Sequence, residues 1–372
     1  MTSTTTDDLG FLRAALTLAR RGLGAVWPNP AVGCLLVRPD LDNRVVGRGW
    51  TQPGGRPHAE AEALRRAGDL AHGATAYVTL EPCDHHGQTP PCSEALIAAG
   101  IRRVVAAVED PDPRVAGRGL ARLRAAGVEV SVGLLGQEAA ELNAGFFLRV
   151  REGRPLFTLK LATSRDGRIA THAGDSQWIT GPEARAQAHL LRAGHDAVMV
   201  GIGTVLADDS RLTCRLPGLE GRHPVRIVAD SHLRLPLTSH LVATARDVPT
   251  WLLTLPGNQE ARLEVYRQAG VTVIEVPPDA AGRPDLVQAA REMGWRGLTR
   301  VLIEGGAHLA AGALRAGLVD RLAWFHAPLL IGGDGIPAVA AFGVDRLSQA
   351  PAFIRSGLRV LGADVLETGA RR

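Results

Sequence analysis

Cysteine is scarce in this chain, with four residues in 372. That is no disulfide framework, and the thiols read instead as metal-binding, catalytic or core groups of an intracellular protein. Aromatic residues are equally scarce at 4%, and their scatter argues against a surface that stacks nucleic-acid bases. No run approaches the roughly 20 uninterrupted apolar residues of a membrane span. The polar, acidic start MTSTTTDDLG lacks the positive region and apolar stretch of a secretory signal. Like charges never form blocks of five or six. The expectations are cytoplasmic residence and neither a membrane nor a nucleic-acid partner. A net charge of +4 and a pI near 9.2 rest on scattered arginines. They fit an arginine-rich proteome, or a phosphate-bearing small substrate.

What is present is an ordinary globular composition, 45% hydrophobic and 22% charged, in a chain long enough for two domains. The apolar content permits a homo-oligomer, which is expected. Phe11, Leu12, Ala15, Leu16 and Ala19 recur at helical spacing, and residues 31–37 (AVGCLLV) and 44–50 (RVVGRGW) read as strands. A helix over 59–67, a strand over 74–80, a helix from Cys92 and a strand over 102–108 follow, then a helix at 119–127 and a strand at 128–133. This alternation is a layered α/β domain. It ends where residues 145–152 turn polar before a Gly-Arg-Pro breaker, so the domains are expected at 1–150 and 151–372. A second alternation has strands at 157–164, 195–201, 224–230, 249–255, 271–276 and 299–306, with helices at 182–194 and 307–317. No internal repeat links the halves.

The chemistry concentrates in His58-Ala59-Glu60 and, further on, Glu81-Pro82-Cys83 and Cys92. Catalytic zinc takes three protein ligands and leaves a fourth position for water. His58 at a helix start, Cys83 just past a strand and Cys92 at the next helix start can converge on one ion. Glu60 is then placed to move the proton of that water to a departing amine. H-x-E…P-C belongs to zinc nucleobase deaminases, whose cysteines are two residues apart; here DHHGQTPP separates them. His85 reads as a substrate-contacting or supporting group and His86 as a loop residue, because a fourth protein ligand would close the water position.

The loop PCDHHGQTPPC resembles the expanded cysteine loop of the bacterial bifunctional riboflavin-biosynthesis deaminase–reductases. Also similar are Asn29-Pro30-Ala31-Val32-Gly33, EDPDPRVAGRG at 109–119, KLATSRDGRIA at 160–170, SQWITGPEAR at 176–185, TVLADDSRLTCR at 204–215, RIVADS at 226–231 and VLIEGGAHLAAGAL at 301–314. The resemblance implies an N-terminal cytidine-deaminase-like three-layer domain and a C-terminal dihydrofolate-reductase-like α/β domain. The first would remove the C2 amino group of a ribosylaminopyrimidinone phosphate with zinc; the second would reduce the ribosyl group to ribityl with NADPH. It implies His58, Cys83 and Cys92 as zinc ligands, Glu60 as proton donor and Asn29 in the deaminase pocket. Ala162, Trp178, Thr204, Asp208, Ser231 and the stretch from Gly306 to Gly312 fall where the family binds NADPH. Ser176, Arg192, Leu212, Arg215 and Glu304 fall where it binds the pyrimidine phosphate. Two departures stand out: Gln88 where Arg is frequent, which removes a charge from the loop, and Arg165 where an apolar residue is common.

Read without the family, the second half speaks less clearly. Gly201-Ile202-Gly203 fails G-x-G-x-x-G because residue 206 is Leu. The glycines in VLIEGGAHLAAG serve either a phosphate at a helix start or close strand–helix packing. Arg192 and Arg215 are phosphate forks or solvated charges. Lys160 either neutralises charge at the reducing centre or snorkels from the sheet. Asp166 suits a turn, and Trp178 lines a cleft or fills core. Cys34 reads as core, and Cys214 has no evident metal partner. Two other readings compete: a nucleic-acid base deaminase with an appended domain, and a nucleotide sensor that has lost one chemistry. The first lacks its aromatic surface, and the intact His58, Glu60, Cys83 and Cys92 set opposes the second.

Overall fold

Apolar strands alternating with helices divide the chain into two units, Met1–Gly153 and Arg154–Arg372. The structure, a computed structural model, describes residues 6–86, 90–113 and 116–372; Gln88 lies outside them. The first unit runs α1 (Thr6–Ala19), β1 (Gly33–Arg38), β2 (Arg44–Trp50), α2 (Ala59–Ala67), β3 (Thr75–Val78), α3 (Cys92–Ala98), β4 (Arg103–Ala106), α4 (Arg118–Ala125), β5 (Glu129–Val132), α5 (Gly136–Leu142) and α6 (Ala144–Glu152). Its sheet has the order β2-β1-β3-β4-β5. Strand β1 is antiparallel to both its neighbours, β2 and β3, and the last three strands are parallel. Because side chains alternate along a strand, Cys34 and Leu36 join a core with α2, α3 and α6, while Leu35 and Val37 join one with α1 and α5. Both faces are covered, which makes three layers. The stretch expected to break the domain is helix α6, because Phe146 and Phe147 are buried against the sheet. The chain turns away only after Gly153.

The position of α2 rests on an unusual seam. Gly47 and Gly49 lie on one face of β2, and α2 turns Ala59, Ala63 and Ala67 towards them at helical spacing. A Cβ on Gly49 would fall 1.9 Å from the Ala59 carbonyl oxygen, and one on Gly47 would fall 2.4 Å from that of Ala63. Backbone meets backbone here, with no side chain between to act as a spacer.

The second unit runs β6 (Leu156–Thr163), β7 (Arg168–Ala170), α7 (Pro182–Ala193), β8 (Ala197–Gly201), α8 (Ile202–Asp208), β9 (Val225–Ala229), α9 (His240–Ala243), β10 (Thr250–Thr254), α10 (Glu260–Gln268), β11 (Thr272–Glu275), α11 (Leu286–Trp295), β12 (Arg300–Ile303), α12 (Ala307–Arg315), β13 (Val319–His326), β14 (Ile336–Pro337), β15 (Phe353–Leu361) and β16 (Asp364–Arg371). Nine strands form one sheet in the order β11-β10-β9-β8-β12-β6-β13-β16-β15. Every pair from β11 to β13 is parallel, and the runs AVMVG of β8 and VLI of β12 are apolar, as suits strands buried within a parallel sheet. The closing hairpin, β15 with β16, is antiparallel and leaves β15 as an edge. Among the described residues no helix is long and apolar enough to cross a membrane.

The seam generates a direct test. Gly49→Ala should destabilise the first unit by about 1–3 kcal/mol through overpacking and weaken metal retention, since α2 carries His58 and Glu60. Gly10→Ala in α1, which meets nothing within 4 Å, is the control and should be neutral or stabilising. Thermal unfolding and elemental analysis check both; an unchanged Gly49→Ala midpoint would show that α2 does not depend on the seam.

Candidate functional site

His58 is the residue immediately before α2, in extended conformation, and Cys92 is the first residue of α3. Cys83 lies in the loop after β3. These elements bring the three ligand atoms within 4.8 Å of one another. His58 Nδ1 is 3.6 Å from Cys83 Sγ and 3.4 Å from Cys92 Sγ. Zinc bonds of about 2.1 Å to nitrogen and 2.3 Å to sulfur, meeting tetrahedrally, put N and S roughly 3.6 Å apart. The donor set therefore fits zinc in both chemistry and spacing. Without a metal, hydrogen bonds from Cys92 and His58 hold the Cys83 thiol down to about 4. The Cys92 backbone N–H also donates to Cys83 Sγ, at 3.3 Å.

Glu60, in the first turn of α2, is 3% exposed. Burial and the neighbouring Cys83 push its carboxyl up to about 7, a range in which it can both take and give a proton near neutrality. His58, Glu60 and Cys83 line a cavity of about 230 Å3 together with Asn29, Thr51, Arg56, His85, Asp110, Asp112, Phe146 and Arg149. His85 Nδ1 is buried with no hydrogen-bond partner among the described residues. His86 is exposed and lies 3.4 Å from Glu94.

The loops of this cavity are fastened from outside. Asn143 takes hold of Ala31 twice, accepting from its N–H at 2.9 Å and donating to its carbonyl at 3.0 Å. Thr51 accepts from the Val32 N–H and donates to the Pro30 carbonyl. Asn29 donates to the Gly55 carbonyl at 3.3 Å. Glu81 is a buried carboxylate that accepts four backbone N–H groups, from Asp110, Gly117, Gly119 and Leu120. It caps α4 from across the fold and pins the loop that carries Asp110 and Asp112 into the cavity. Burial raises the Asp110 carboxyl to about 6. The sequence reading gave no role to Asp110, Asp112, Arg56, Arg149, Asn143 or Glu81. The EDPDP run was the available signal for Asp110 and Asp112.

In the second unit Arg192, on α7, makes a two-pronged pair with Glu304, at 2.6 and 2.7 Å. It also donates to the Thr213 carbonyl, beside buried Leu212. Burial raises the Glu304 carboxyl, but Arg192 overcomes that and holds it below its ordinary value. The Arg215 and Lys160 charges are felt by the same pair. Lys160 does not extend into solvent: its Nζ is 5.8 Å from the centre of the Phe325 ring, and burial lowers its pKa. Thr204 abuts the turn Gly305-Gly306, whose φ values are +142° and +86°. Only glycine adopts that backbone readily, and the turn opens onto the start of α12.

The other expected residues are more dispersed. Gly312 sits within α12 against Leu286 of α11, Asp208 ends α8, and the Ser231 carbonyl accepts from Asn258. Ala162 is half-buried on β6, and Ser176 lies in the β7–α7 connection. Trp178 is not core: it is 65% exposed beneath the Arg185 guanidinium. Asp166 accepts from Ser164 Oγ and from the Ile331 and Gly332 N–H groups, tying two turns together. Arg165 is exposed, and its backbone N–H donates to the Leu329 carbonyl. Cys34 is fully buried in β1, and Cys214 is buried in a loop. A second recess of about 490 Å3, beside Arg315, Phe342 and Arg371, holds none of the expected site residues.

Two family profiles match in turn: the cytidine and deoxycytidylate deaminase zinc-binding region over residues 5–108, and the RibD C-terminal domain over 155–366. Fold and site thus define a zinc-dependent deaminase domain joined to a reductase domain. The riboflavin biosynthesis protein RibD of Escherichia coli is 44% identical over 370 residues, covering 96% of this chain and 98% of that protein. The solved structure of RibD from Acinetobacter baumannii superposes with a TM-score of 0.86 at 37% identity, covering 98% of this chain and 99% of the other. A diaminohydroxyphosphoribosylaminopyrimidine deaminase/5-amino-6-(5-phosphoribosylamino)uracil reductase from Thermotoga maritima gives 0.84 at 33% identity, with coverage of 98% and 99%. This chain belongs to the family of bifunctional riboflavin-biosynthesis deaminase–reductases.

The fourfold clamp at Glu81 makes its own prediction. Glu81→Ala orphans several buried N–H donors and should cost about 3 kcal/mol or more of stability. Glu81→Gln keeps an acceptor oxygen but sets an NH2 against donors, and should fall between the two. Denaturant unfolding checks the order; an alanine variant as stable as the parent would remove the clamp from the account.

Proposed function

We propose that the chain performs two consecutive steps on one phosphorylated pyrimidine. The first hydrolyses the C2 amino group of 2,5-diamino-6-ribosylamino-4(3H)-pyrimidinone 5′-phosphate and releases ammonia. The second reduces the ribosyl side chain with NADPH to give 5-amino-6-ribitylamino-uracil 5′-phosphate. The observation that carries the first step is the buried Glu60 carboxylate beside the His58, Cys83 and Cys92 triangle, with His58, Glu60 and Cys83 lining one cavity.

In this reading His58, Cys83 and Cys92 hold the metal, and Glu60 moves protons. When bound, zinc supplies the Lewis acidity that makes a water acidic enough to attack C2 near neutral pH. Glu60 accepts the proton that this water loses and delivers it to the amino group as the C2–N bond breaks. The Glu60 carboxyl can carry out both transfers because burial keeps its affinity for the proton close to that of the medium. Asn29 and His85 are placed to orient the ring. In the second unit the Gly305-Gly306 turn, Thr204 and the start of α12 form a cradle suited to a cofactor phosphate; Ala162, Trp178, Asp208, Ser231 and Gly312 complete the expected NADPH set. The nicotinamide supplies the hydride. Arg192, Arg215 and Glu304, with Ser176 and Leu212, form the expected pyrimidine-phosphate site, in which Arg192 fixes the Glu304 carboxylate.

The same reading places the protein in the cytoplasm, where thiolate ligands stay reduced, and makes it a homo-oligomer. Support for assembly comes from edge strand β15, where Ile354, Leu358 and Val360 are 61%, 57% and 74% exposed. Leu358 and Val360 share one face of this strand, Ile354 falls on the other because of a bulge between Arg355 and Gly357, and the strand's outer N–H and C=O groups can pair with a second copy.

Glu60→Gln should retain about one zinc per chain and lose deaminase activity by at least about 100-fold, the scale of general acid–base assistance. Reduction of the pre-deaminated substrate by NADPH should be untouched. Loss of both steps together would break the two-site account. Sedimentation should find an oligomer that Leu358→Arg dissociates; a monomeric parent protein would refute assembly through β15.

A further inference from the structure

We infer that Arg56 and Arg149, which line the deaminase cavity, recognise the phosphate of its substrate. The inference rests on the deaminase reading above and deepens it. The substrate carries a phosphate dianion as well as a ring, and a site that distinguishes it from the unphosphorylated nucleoside needs fixed cations.

The described residues lining the cavity contain two side chains with a permanent positive charge, Arg56 and Arg149. They reach it from unrelated parts of the sequence. Arg56 follows the Pro53–Gly55 turn, two residues before ligand His58. Arg149 comes from the last turn of α6, where the dipole of the helix C-terminus favours a cation. Both are partly buried, which limits screening by salt and strengthens their pull on an anion. The same cavity also contains the carboxylates of Glu60, Glu81, Asp110 and Asp112, which would repel a phosphate. The arginines therefore decide where a phosphate can lie, and with it which way round the ring enters. A mundane alternative has them only balancing those carboxylates, in which case their loss would affect every substrate alike.

The test uses the full-length, zinc-loaded enzyme. Steady-state deamination is measured with the ribosylaminopyrimidinone 5′-phosphate and with its dephosphorylated nucleoside. The variants are Arg56→Gln, Arg149→Gln, the double variant and the corresponding Lys variants. Each Gln variant should raise KM for the phosphorylated substrate by about 10-fold, and the double by about 100-fold, the scale of charge-assisted hydrogen bonds. The kcat should stay within about twofold and the nucleoside kinetics should not move, because the reacting groups are untouched. The Lys variants should keep most of the affinity. Ribose 5-phosphate should inhibit the parent enzyme competitively and the double variant more weakly. Zinc content and NADPH-dependent reductase activity report that each variant is folded. Equal losses on both substrates, an unchanged KM, or a parent enzyme that treats the two substrates alike would each overturn the assignment. A parent enzyme that deaminates neither compound would overturn the deaminase reading itself.

Discussion

The first active site depends on how closely helix α2 can approach the sheet. Ala59, Ala63 and Ala67 lie against Gly47 and Gly49, so the helix backbone rests on the strand backbone. Such a seam buries little apolar area and contributes little hydrophobic free energy of its own. Its glycines cost conformational entropy on folding, roughly 0.5–1 kcal/mol each in a strand. Those losses are offset elsewhere, by the leucines, valines and phenylalanines that cover both sheet faces. What the seam provides is placement. A helix held at ordinary side-chain distance would carry His58 and Glu60 away from the loop and helix that bear Cys83 and Cys92. The ligand separations of 3.4 and 3.6 Å leave little room for such a shift.

Both units concentrate buried charge, and in each the charge is tied to geometry. Glu60 is taken out of water beside groups that become thiolates, so its proton is held more tightly than in an exposed carboxyl. A cation placed among His58, Cys83 and Cys92 reverses part of that field. In the second unit, Arg192 and Glu304 meet as a buried two-pronged pair. Burying two ions is a poor way to gain stability, because desolvation offsets most of the Coulombic attraction. A pair of this kind, with further cations around it, is the pattern of a site that handles charge. The fold tolerates it because Arg192 keeps the carboxylate ionised and oriented.

The legible parts of the sequence were those with strong local signals. H-x-E, P-C and the second cysteine marked the metal centre because each sits at an element boundary that periodicity also marks. The central strands of the second unit were legible as continuous apolar runs. The closing hairpin was not: FIRSGLRVL places its apolar residues with neither strand nor helix period, since β15 is an edge exposed on both faces. Helix α6 was hidden because FFLRVRE mixes adjacent phenylalanines with charges, and only its packing shows which face is inward. Asp110, Asp112, Arg56 and Arg149 enter the cavity through loop closure and tertiary contact, which no local pattern encodes. Trp178 was legible only in part: it read as cleft or core, and at 65% exposed it is not core.

The composition adds a constraint on the reductase site that spacing alone does not give. Of the 42 basic side chains, Lys160 is the one lysine and the rest are arginines. A chain that uses arginine everywhere else keeps an ammonium at a partly buried strand position within the field of Glu304 and Arg192. The two cations differ physically at such a place. A guanidinium is broad, needs a planar set of acceptors and does not give up its proton in a protein; an ammonium is compact, and desolvation brings its pKa down. Burial lowers the pKa of Lys160 while Glu304 opposes the shift. Lys160 is thus the cation of this cluster whose pKa burial can lower appreciably, and Glu304 opposes that shift. Arginine at 160 would keep the charge, but its broader guanidinium does not give up its proton and would not respond to burial in that way. In the function proposed above, that difference suits a compact cation at the reducing centre.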